Sequence, residues 1–189
     1  MAGSWDNRVN YVVRSMYDID NNGILDADDF QCMALRNCIV EGKGECAPDK
    51  LKKHRAQMDV LWKEISALAD FDNDGKISAD EFKDAVSKNC VGKKYDQFPE
   101  PFKAFVESSF NLIDINSDGI VGIEEYRYNC ISRIAIGDIA PIDKCFEALL
   151  NDDDRKKGGL DINRYKQLYA DFLGNKDDKC SACNLFGPL

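Results

Sequence analysis

The sequence predicts an all-α fold class: four helix-loop-helix units in two pairs, packed into one compact body with short paired β segments between the loops. The first observation is an internal repeat, in which acidic segments with a central glycine follow stretches of apolar residues at helical spacing. The second is physical, since a single helix-loop-helix cannot bury its apolar face alone and needs a partner. We expect the first pair within residues 1–98 and the second pair, with the C-terminal tail, within residues 99–189.

The composition limits the classes of function. Of the 189 residues, 44% are hydrophobic and 31% are charged, which is typical of a soluble globular protein. The formal net charge of -9 argues against nucleic acid or an anionic membrane surface as a partner. The N-terminus has no apolar signal core, and no apolar run approaches the ~18 residues that a membrane span requires. We therefore expect a cytoplasmic protein.

The repeat is clearest at residues 70–81. Oxygen-bearing side chains stand at loop positions 1, 3, 5, 9 and 12, and Gly75 at position 6 lets the chain turn sharply. A hard divalent cation such as Ca²⁺ takes six to eight oxygens, and this spacing supplies them from one short loop. The pattern is that of an EF-hand. The predicted metal ligands are Asp70, Asp72, Asp74, the backbone carbonyl of Lys76, Ser78 and Glu81.

The first unit departs from this pattern at one position. Apolar residues at helical spacing from Trp5 to Tyr17 predict a helix that leads into the loop at residues 18–29. Position 12 is Asp29, which is one methylene shorter than glutamate and should reach an ion with one oxygen rather than two. Fewer ligands in a tighter shell favour Mg²⁺ relative to Ca²⁺, so we predict a mixed site. The predicted ligands are Asp18, Asp20, Asn22, the backbone carbonyl of Ile24, Asp26 and Asp29.

The segments between the loops also follow the repeat. An exiting helix is expected after the first loop, and a connector that ends near Pro48 separates it from the next helix. That long helix carries apolar residues at helical spacing from Met58 to Leu68 and leads into the second loop. Residues 92–101 are predicted to link the two pairs, because Pro99 and Pro101 bar a continuous helix there.

The third unit predicts another working site. A stripe of phenylalanines and aliphatic residues from Phe102 to Ile113 predicts a helix with a core-facing side. It leads into the loop at residues 114–125, where Gly122 at position 9 has no side chain and a water should fill that place. The predicted ligands are Asp114, Asn116, Asp118, the backbone carbonyl of Ile120 and Glu125.

The fourth unit keeps the repeat but loses the metal chemistry. Aligning its hydrophobic residue at position 8 with those of the other loops sets the loop at residues 153–164. Three cationic side chains, Arg155, Lys157 and Arg164, then stand where anions belong and would repel a divalent ion. We expect this unit to fold without metal and to support its neighbour. A further hypothesis is that Arg164 reaches the place of the ion and pairs with Asp153.

Hydrophobic residues at position 8 predict how the loops pair. They are expected on short strands, which join the first loop to the second and the third to the fourth. The residues are Leu25, Ile77, Val121 and Leu160.

Eight cysteines raise the question of disulfides or a metal site. Without a secretory signal, reduced thiols are expected. Cys180 and Cys183 form a solitary CxxC, and a structural zinc site needs about four ligands, whereas His54 is the only histidine in the chain. We interpret the cysteines as incidental thiols, with a zinc or redox role for Cys180 and Cys183 as the alternative.

Several of these features together resemble the invertebrate sarcoplasmic calcium-binding proteins, in particular those of arthropods. They are the three intact loops before a degenerate fourth, the Ser-Trp-Asp-Asn-Arg-Val segment at 4–9, Asp29 at position 12, and the Leu-Phe-Gly-Pro-Leu ending at 185–189. The resemblance spans essentially the whole chain. It implies a compact helical body with the C-terminal tail folded against it, and a cytosolic calcium and magnesium buffer of muscle or neurons, often a homodimer.

These features favour a buffer that binds about three Ca²⁺ ions, with Mg²⁺ competing at the first loop. The alternative is a calcium sensor that exposes a groove and binds a target protein on Ca²⁺ uptake. Sensors use Met-rich grooves, whereas this chain has 4 methionines but 10 phenylalanines and 7 tyrosines, which suit a permanent core. EF-hand photoproteins and luciferin-binding proteins share the four-unit body. Photoproteins of this layout use several histidines around their ligand, and His54 is the only histidine here. No nucleophile and base pair can be named, so an enzyme is not expected.

Overall fold

The computed structural model describes residues 4–42, 44–132 and 137–188. These residues are mostly helical, with two short antiparallel strand pairs, which confirms the predicted fold class. Among the helices described, none is both long enough and apolar enough to cross a membrane.

The first two hands follow the predicted order of helix, loop and helix. Helix α1 continues directly into a π-helix, Val13–Tyr17, which ends where the first loop begins. The remaining bounds are α1 Trp5–Val12, β1 Ile24–Leu25, α2 Ala27–Glu41, α3 Pro48–Ala69, β2 Ile77–Ser78 and α4 Ala79–Asn89.

The last two hands contain more and shorter helices. After a 3₁₀ turn at Tyr95–Gln97 come α5 Glu100–Lys103, α6 Val106–Ile113, β3 Ile120–Val121, α7 Ile123–Ile131, α8 Ala140–Leu149, α9 Asp152–Lys157, β4 Leu160–Asp161 and α10 Ile162–Gly174. A second 3₁₀ helix, Ser181–Asn184, precedes the C-terminal tail.

One sequence-based expectation needs correction in the middle of the chain, and another is confirmed. The linker predicted at 92–101 has no continuous helix, as expected; it holds a 3₁₀ turn, and Pro101 lies in the first turn of α5. Proline is accepted there because the first turn leaves its N–H position without an intrahelical partner. The helix predicted from Phe102 to Ile113 is divided into α5 and α6 by a break at Ala104 and Phe105.

Strand pairing agrees with the prediction from position 8. β1 and β2 are antiparallel, and Leu25 lies opposite Ile77. β3 and β4 are also antiparallel, and Val121 lies opposite Leu160. The loops are therefore joined in the predicted pairs, first with second and third with fourth.

The chain divides into two compact units. One unit consists of Val9–Lys88 with Glu100–Phe102, and the other of Met1–Arg8, Asn89–Pro99 and Lys103–Leu189. The first unit holds β1 and β2, and the second holds β3 and β4.

Buried aromatic side chains hold the ends of the loops in place. In the first unit, the rings of Tyr17 and Phe82 have centroids 5.4 Å apart, and those of Phe82 and Phe102 are 5.6 Å apart. Tyr17 directly precedes the first loop, so its burial fixes where that loop starts. The residue that follows position 12 is aromatic and buried in all four hands: Phe30, Phe82, Tyr126 and Tyr165.

The start of α1 and the end of α10 form a terminal cluster, which consists of Trp5, Arg8 and the carbonyls at the end of α10. The Arg8 side chain is fully buried and donates to the backbone carbonyls of Phe172 at 3.0 Å and Asn175 at 2.7 Å. Trp5 Nε1 donates to the Leu173 carbonyl at 2.7 Å. Helices leave their last carbonyls without intrahelical partners, and these donors satisfy them.

The C-terminal tail is packed as the resemblance implies. Leu185 and Phe186 are buried, and the Phe186 ring meets that of Phe172 on α10 at a centroid distance of 5.0 Å. The last residue of the predicted ending, Leu189, lies outside the described residues.

Candidate metal centres

Loops 1, 2 and 3, at residues 18–29, 70–81 and 114–125, share an unusual backbone. Position 4 has a positive φ of 57°, 60° and 59° at Asn21, Asn73 and Ser117, respectively. Position 6 is a glycine with φ between 81° and 86° in each loop. Two left-handed residues so close together wrap the chain tightly and turn its polar groups inward, and glycine adopts this conformation without steric cost.

The carboxylate at position 1 is buried or half-buried and points into each loop. It accepts a hydrogen bond from the position 6 glycine N–H at 2.9, 3.1 and 3.0 Å in loops 1, 2 and 3. Asp18 is 3% exposed and Asp114 is 7% exposed. Burial of an anion is costly unless a cation or several donors compensate it, so these carboxylates favour a bound cation.

The side chain at position 12 ties both ends of each loop together. In loop 2, Glu81 accepts from the N–H of Phe71 at 3.2 Å and of Ser78 at 2.9 Å. Loop 3 repeats this arrangement, with distances of 2.9 and 3.0 Å to the corresponding N–H groups. In loop 1 the shorter Asp29 also makes both bonds, at 2.8 and 3.0 Å. The aspartate therefore closes its loop as the glutamates do.

The two position 12 carboxylates of the first unit lie in different electrostatic environments. The Ser78 backbone N–H holds the pKa of Glu81 below its ordinary value. Burial instead raises the pKa of Asp29, although the N–H groups around it act in the opposite direction.

The positions between these ends also point oxygens into the loops. The position 5 side chain accepts from the position 7 N–H at 2.8 Å in all three loops, which fixes its orientation. In loop 1, Asp26 accepts from the Asp28 N–H at 2.9 Å, and Asn22 donates to Asp20 at 2.8 Å. The Ser78 hydroxyl donates to Glu81 at 2.8 Å, so it supports the position 12 carboxylate.

The donor set fits a hard divalent cation. Asp18, Asp20 and Asp29 each place one oxygen within 4.8 Å of the others, as do Asp70, Asp72 and Asp74. Three carboxylates at this distance repel one another, and a cation between them removes that repulsion. Asp70 Oδ1 is also buried without a hydrogen-bond donor, and a metal ion would satisfy such an oxygen.

Loop 3 opens onto a cleft of about 340 Å³. Asn116, Asp118 and Glu125 of loop 3 line it together with Lys157 of the fourth hand. Lys157 Nζ is 2.5 Å from Asp161 Oδ2, and this carboxylate raises the pKa of Lys157 and keeps it charged.

The fourth hand contains a short helix where the other hands have a metal loop. α9 covers the first five residues of the predicted loop. It starts with a reciprocal cap, in which Asn151 accepts from the Asp154 N–H at 2.8 Å and Asp154 accepts from the Asn151 N–H at 3.0 Å. Only position 6, Gly158, keeps the left-handed conformation among the described residues of this loop, with φ 85°. The backbone carbonyls and carboxylates therefore do not converge on one point here.

Arg164 lies inside the fourth hand, but the partner proposed from sequence was wrong. Arg164 Nε donates to Asp154 Oδ2 at 2.9 Å, and Nη2 donates to the Leu149 carbonyl at 3.0 Å. Asp153 instead pairs with Lys156 at 3.1 Å on the exposed side. The helical turn of α9 causes the difference, because it directs Asp153 outward and buries Asp154.

Comparison with known proteins extends this description. The family model described as an EF-hand domain pair matches residues 67–131. The sarcoplasmic calcium-binding protein, alpha chain, of Penaeus vannamei is 54% identical over 100% of this chain and 98% of its own length. The sarcoplasmic calcium-binding protein of Scylla paramamosain is 53% identical with the same coverage. This chain belongs to the sarcoplasmic calcium-binding protein family.

Solved structures agree on the fold of this sarcoplasmic calcium-binding family member. The sarcoplasmic calcium-binding protein from amphioxus matches with a TM-score of 0.77 at 21% identity, over 96% of each chain. A coelenterazine-binding protein from Renilla muelleri matches with a TM-score of 0.52 at 19% identity. At these identities the comparison supports a common fold, while the crustacean relatives support calcium binding.

Sequence reasoning missed two features of the fourth hand of this sarcoplasmic calcium-binding family member. One is the buried Asp154, and the other is the helical turn that replaces the loop. A signal was present, because Asn151 followed three residues later by an acidic residue resembles a helix capping box. Alignment on position 8 assumed a loop of standard shape and so overlooked it.

Proposed function

We propose that this chain is a cytosolic calcium buffer of the sarcoplasm, with three functional EF-hand sites, Mg²⁺ exchange and a fourth hand that binds no ion. In this proposal loops 1 and 2 act as one pair within residues 1–98. Loop 3 and the fourth hand act as a second pair within residues 99–189. The ligands are those named for each loop from the sequence.

One observation carries the proposal: loops 1, 2 and 3 have the same hydrogen-bond arrangement, and the fourth hand lacks it. In the three loops the position 12 carboxylate accepts from the N–H groups of positions 2 and 9. Position 12 of the fourth hand is Arg164, whose guanidinium bonds Asp154 and Leu149. A cationic side chain in that place opposes a second cation.

Loop 1 is the proposed site of Mg²⁺ competition. Asp29 uses both oxygens on backbone N–H groups at 2.8 and 3.0 Å, and its short side chain limits how it can approach an ion. One oxygen from position 12 would give six ligands in total, which suits the octahedral preference of Mg²⁺. Glutamate in loops 2 and 3 can contribute two oxygens, which suits the larger shell of Ca²⁺.

Titration calorimetry with Ca²⁺, in the presence and absence of Mg²⁺, tests this proposal. We expect three Ca²⁺ ions per chain, and one fewer in each of the variants Asp29→Asn, Glu81→Gln and Glu125→Gln. Arg164→Gln is the matched control at position 12 of the fourth hand, and it should leave the count at three. A fourth ion in the wild type, or an unchanged count in Glu81→Gln, would contradict the assignment.

Exposed apolar side chains are the observation that favours the alternative, a calcium sensor. Leu112, Tyr128 and Ile131 in the third hand are 63%, 66% and 53% exposed, respectively. A sensor would expose further apolar surface on Ca²⁺ uptake and bind a target helix there. An environment-sensitive dye separates the two proposals, because a buffer should give the same dye fluorescence with and without Ca²⁺.

Homodimer formation is a further proposal, which rests on the resemblance to this family. Calcium and magnesium ions are the other proposed partners, and neither nucleic acid nor a membrane is among them. Sedimentation equilibrium of the full chain, with Ca²⁺ and with a chelator, tests the dimer. A mass of one chain across the micromolar range would contradict it.

A further inference from the structure

Two thiols lie side by side near the C-terminus, outside the metal-binding loops. The Sγ atoms of Cys180 and Cys183 are 3.4 Å apart, and both side chains are partly exposed. The Cys183 N–H donates to the Cys180 carbonyl at 3.1 Å, which closes a turn. The Cα atoms at the ends of such a turn are less than about 7 Å apart. A disulfide spans Cα separations in this range, so little backbone movement is needed to form one.

The surroundings of the two sulfurs differ. Arg8 Nη1 lies 3.6 Å from Cys180 Sγ, and Arg8 Nη2 lies 3.8 Å from Asp178 Oδ1. A cation beside a thiol stabilises its thiolate, which is the nucleophilic form. Cys183 Sγ instead faces the carbonyl of Asp177 at 3.7 Å, and burial raises the pKa of Cys183 to about 11. Cys180, which Arg8 contacts, is therefore placed to attack, and Cys183 lies close enough to resolve the product, with its Sγ 3.4 Å away.

We propose that Cys180 and Cys183 are a reversible oxidation site, which forms an intramolecular disulfide with hydrogen peroxide. The Cys180 thiolate attacks one peroxide oxygen, the O–O bond breaks, and Cys180 becomes a sulfenic acid while hydroxide leaves. Cys183 sulfur then attacks Cys180 sulfur, the S–O bond breaks, and the hydroxyl leaves as water with the proton of Cys183. Two electrons pass from the thiols to the peroxide, and a dithiol reductant reverses the change.

The position of this pair connects it to the terminal cluster. Cys180 and the carbonyls of Phe172 and Asn175 all contact the guanidinium of Arg8. Formation of a disulfide therefore changes the sulfur that Arg8 Nη1 contacts from a thiol to a disulfide sulfur. Disulfides in the cytosol are mostly transient and redox-sensing, which is the class of site proposed here.

Peptide mapping of the full chain tests the proposal. Trypsin cleaves after Lys179, and the C-terminal peptide 180–189 then contains both cysteines of the pair and no other cysteine. After brief treatment of the reduced, Ca²⁺-loaded protein with hydrogen peroxide, this peptide should lose the mass of two hydrogens and regain it with dithiothreitol. Mapping is needed because Cys38 and Cys46 also have Sγ atoms only 3.2 Å apart, and counting thiols cannot separate the two pairs.

Single-cysteine variants assign the roles. In Cys183→Ser, Cys180 should accumulate as a sulfenic acid that dimedone captures. In Cys180→Ser, Cys183 should react with iodoacetamide at least tenfold more slowly than Cys180 does in Cys183→Ser. Cys32 is an exposed thiol in the same protein and serves as the internal reference. The proposal is overturned if Cys32 is oxidised before the linked 180–189 peptide forms, or if the link joins two chains.

Discussion

Replacing Arg164 by methionine is the sharpest test of how the fourth hand is held together. Methionine keeps much of the length of the arginine stem but removes both hydrogen bonds, to Asp154 at 2.9 Å and to the Leu149 carbonyl at 3.0 Å. Asp154 is 2% exposed, so the change leaves a buried carboxylate without its cation.

The structure sets the size of the expected effect. Breaking a buried ion pair by removing one partner typically costs ~3–5 kcal/mol of folding free energy. The Asn151 N–H still bonds Asp154 at 3.0 Å, and the Arg164 side chain is 18% exposed, so the low end of that range applies. We expect a loss of about 3 kcal/mol. For a chain of this size it corresponds to a fall in Tm of roughly 6–12 °C.

Urea unfolding followed by circular dichroism measures this loss, at one fixed free Ca²⁺ concentration because bound ions add to stability. The matched control is Arg155→Met in the same hand, which removes an exposed pair with Glu147. Exposed pairs contribute ~0.2–1 kcal/mol, so the control should lose less than about 1 kcal/mol. Adding Asp154→Asn to Arg164→Met should recover part of the loss. If Arg164→Met loses no more than Arg155→Met, the buried pair does not hold this hand.

Three other predictions concern the metal loops and the terminal cluster. Asp29→Glu should raise the preference for Ca²⁺ over Mg²⁺ about tenfold in competition calorimetry, because the longer side chain offers a second oxygen, and an unchanged ratio would contradict this. Arg8→Met leaves the backbone carbonyls of Phe172 and Asn175 without the guanidinium donors. Each unsatisfied carbonyl costs ~1–3 kcal/mol of folding free energy, so the midpoint of urea unfolding should fall clearly. An unchanged midpoint would refute this prediction. Calcium at 1,000 times its Kd should raise the free energy of unfolding by about 4.1 kcal/mol per site relative to the protein in chelator. Glu81→Gln should remove the contribution of one site, as measured by scanning calorimetry.

The turns and strands of the loops could be predicted because their determinants are local. The turn residues and the strand residue lie within one short segment, so spacing alone identifies them, and the same spacing predicts the ligands. Leu25 and Ile77 illustrate this, since position 8 predicted both their strands and the pairing of their loops. The pairing of the hands follows because a single hand cannot bury its apolar face alone.

Other features could not be predicted because they depend on contacts across long stretches of sequence. Arg8 looks like an ordinary charged residue on an apolar helix, yet its partners lie more than 160 residues away at the end of α10. Arg164 pairs with Asp154 rather than with Asp153, the residue before it, and the helical turn of α9 decides between these two neighbours. The positive φ of Asn73 is likewise a property of the folded loop, although asparagine is among the residues that accept it.

The pairing of the Arg164 guanidinium with the buried Asp154 has a consequence for cooperativity. β4 belongs to the fourth hand, where the Arg164 side chain already pairs with Asp154. We therefore expect the β4 half of the β3–β4 ladder to be ordered before any metal ion binds. In the proposed function loop 3 therefore binds its ion against a preorganised neighbour, and we expect it to saturate with a Hill coefficient near one. In the same proposal loops 1 and 2 both bind ions and share the β1–β2 ladder, so occupancy of one should aid the other. Site-resolved NMR titration would separate the two pairs, and a Hill coefficient well above one at loop 3 would contradict this view.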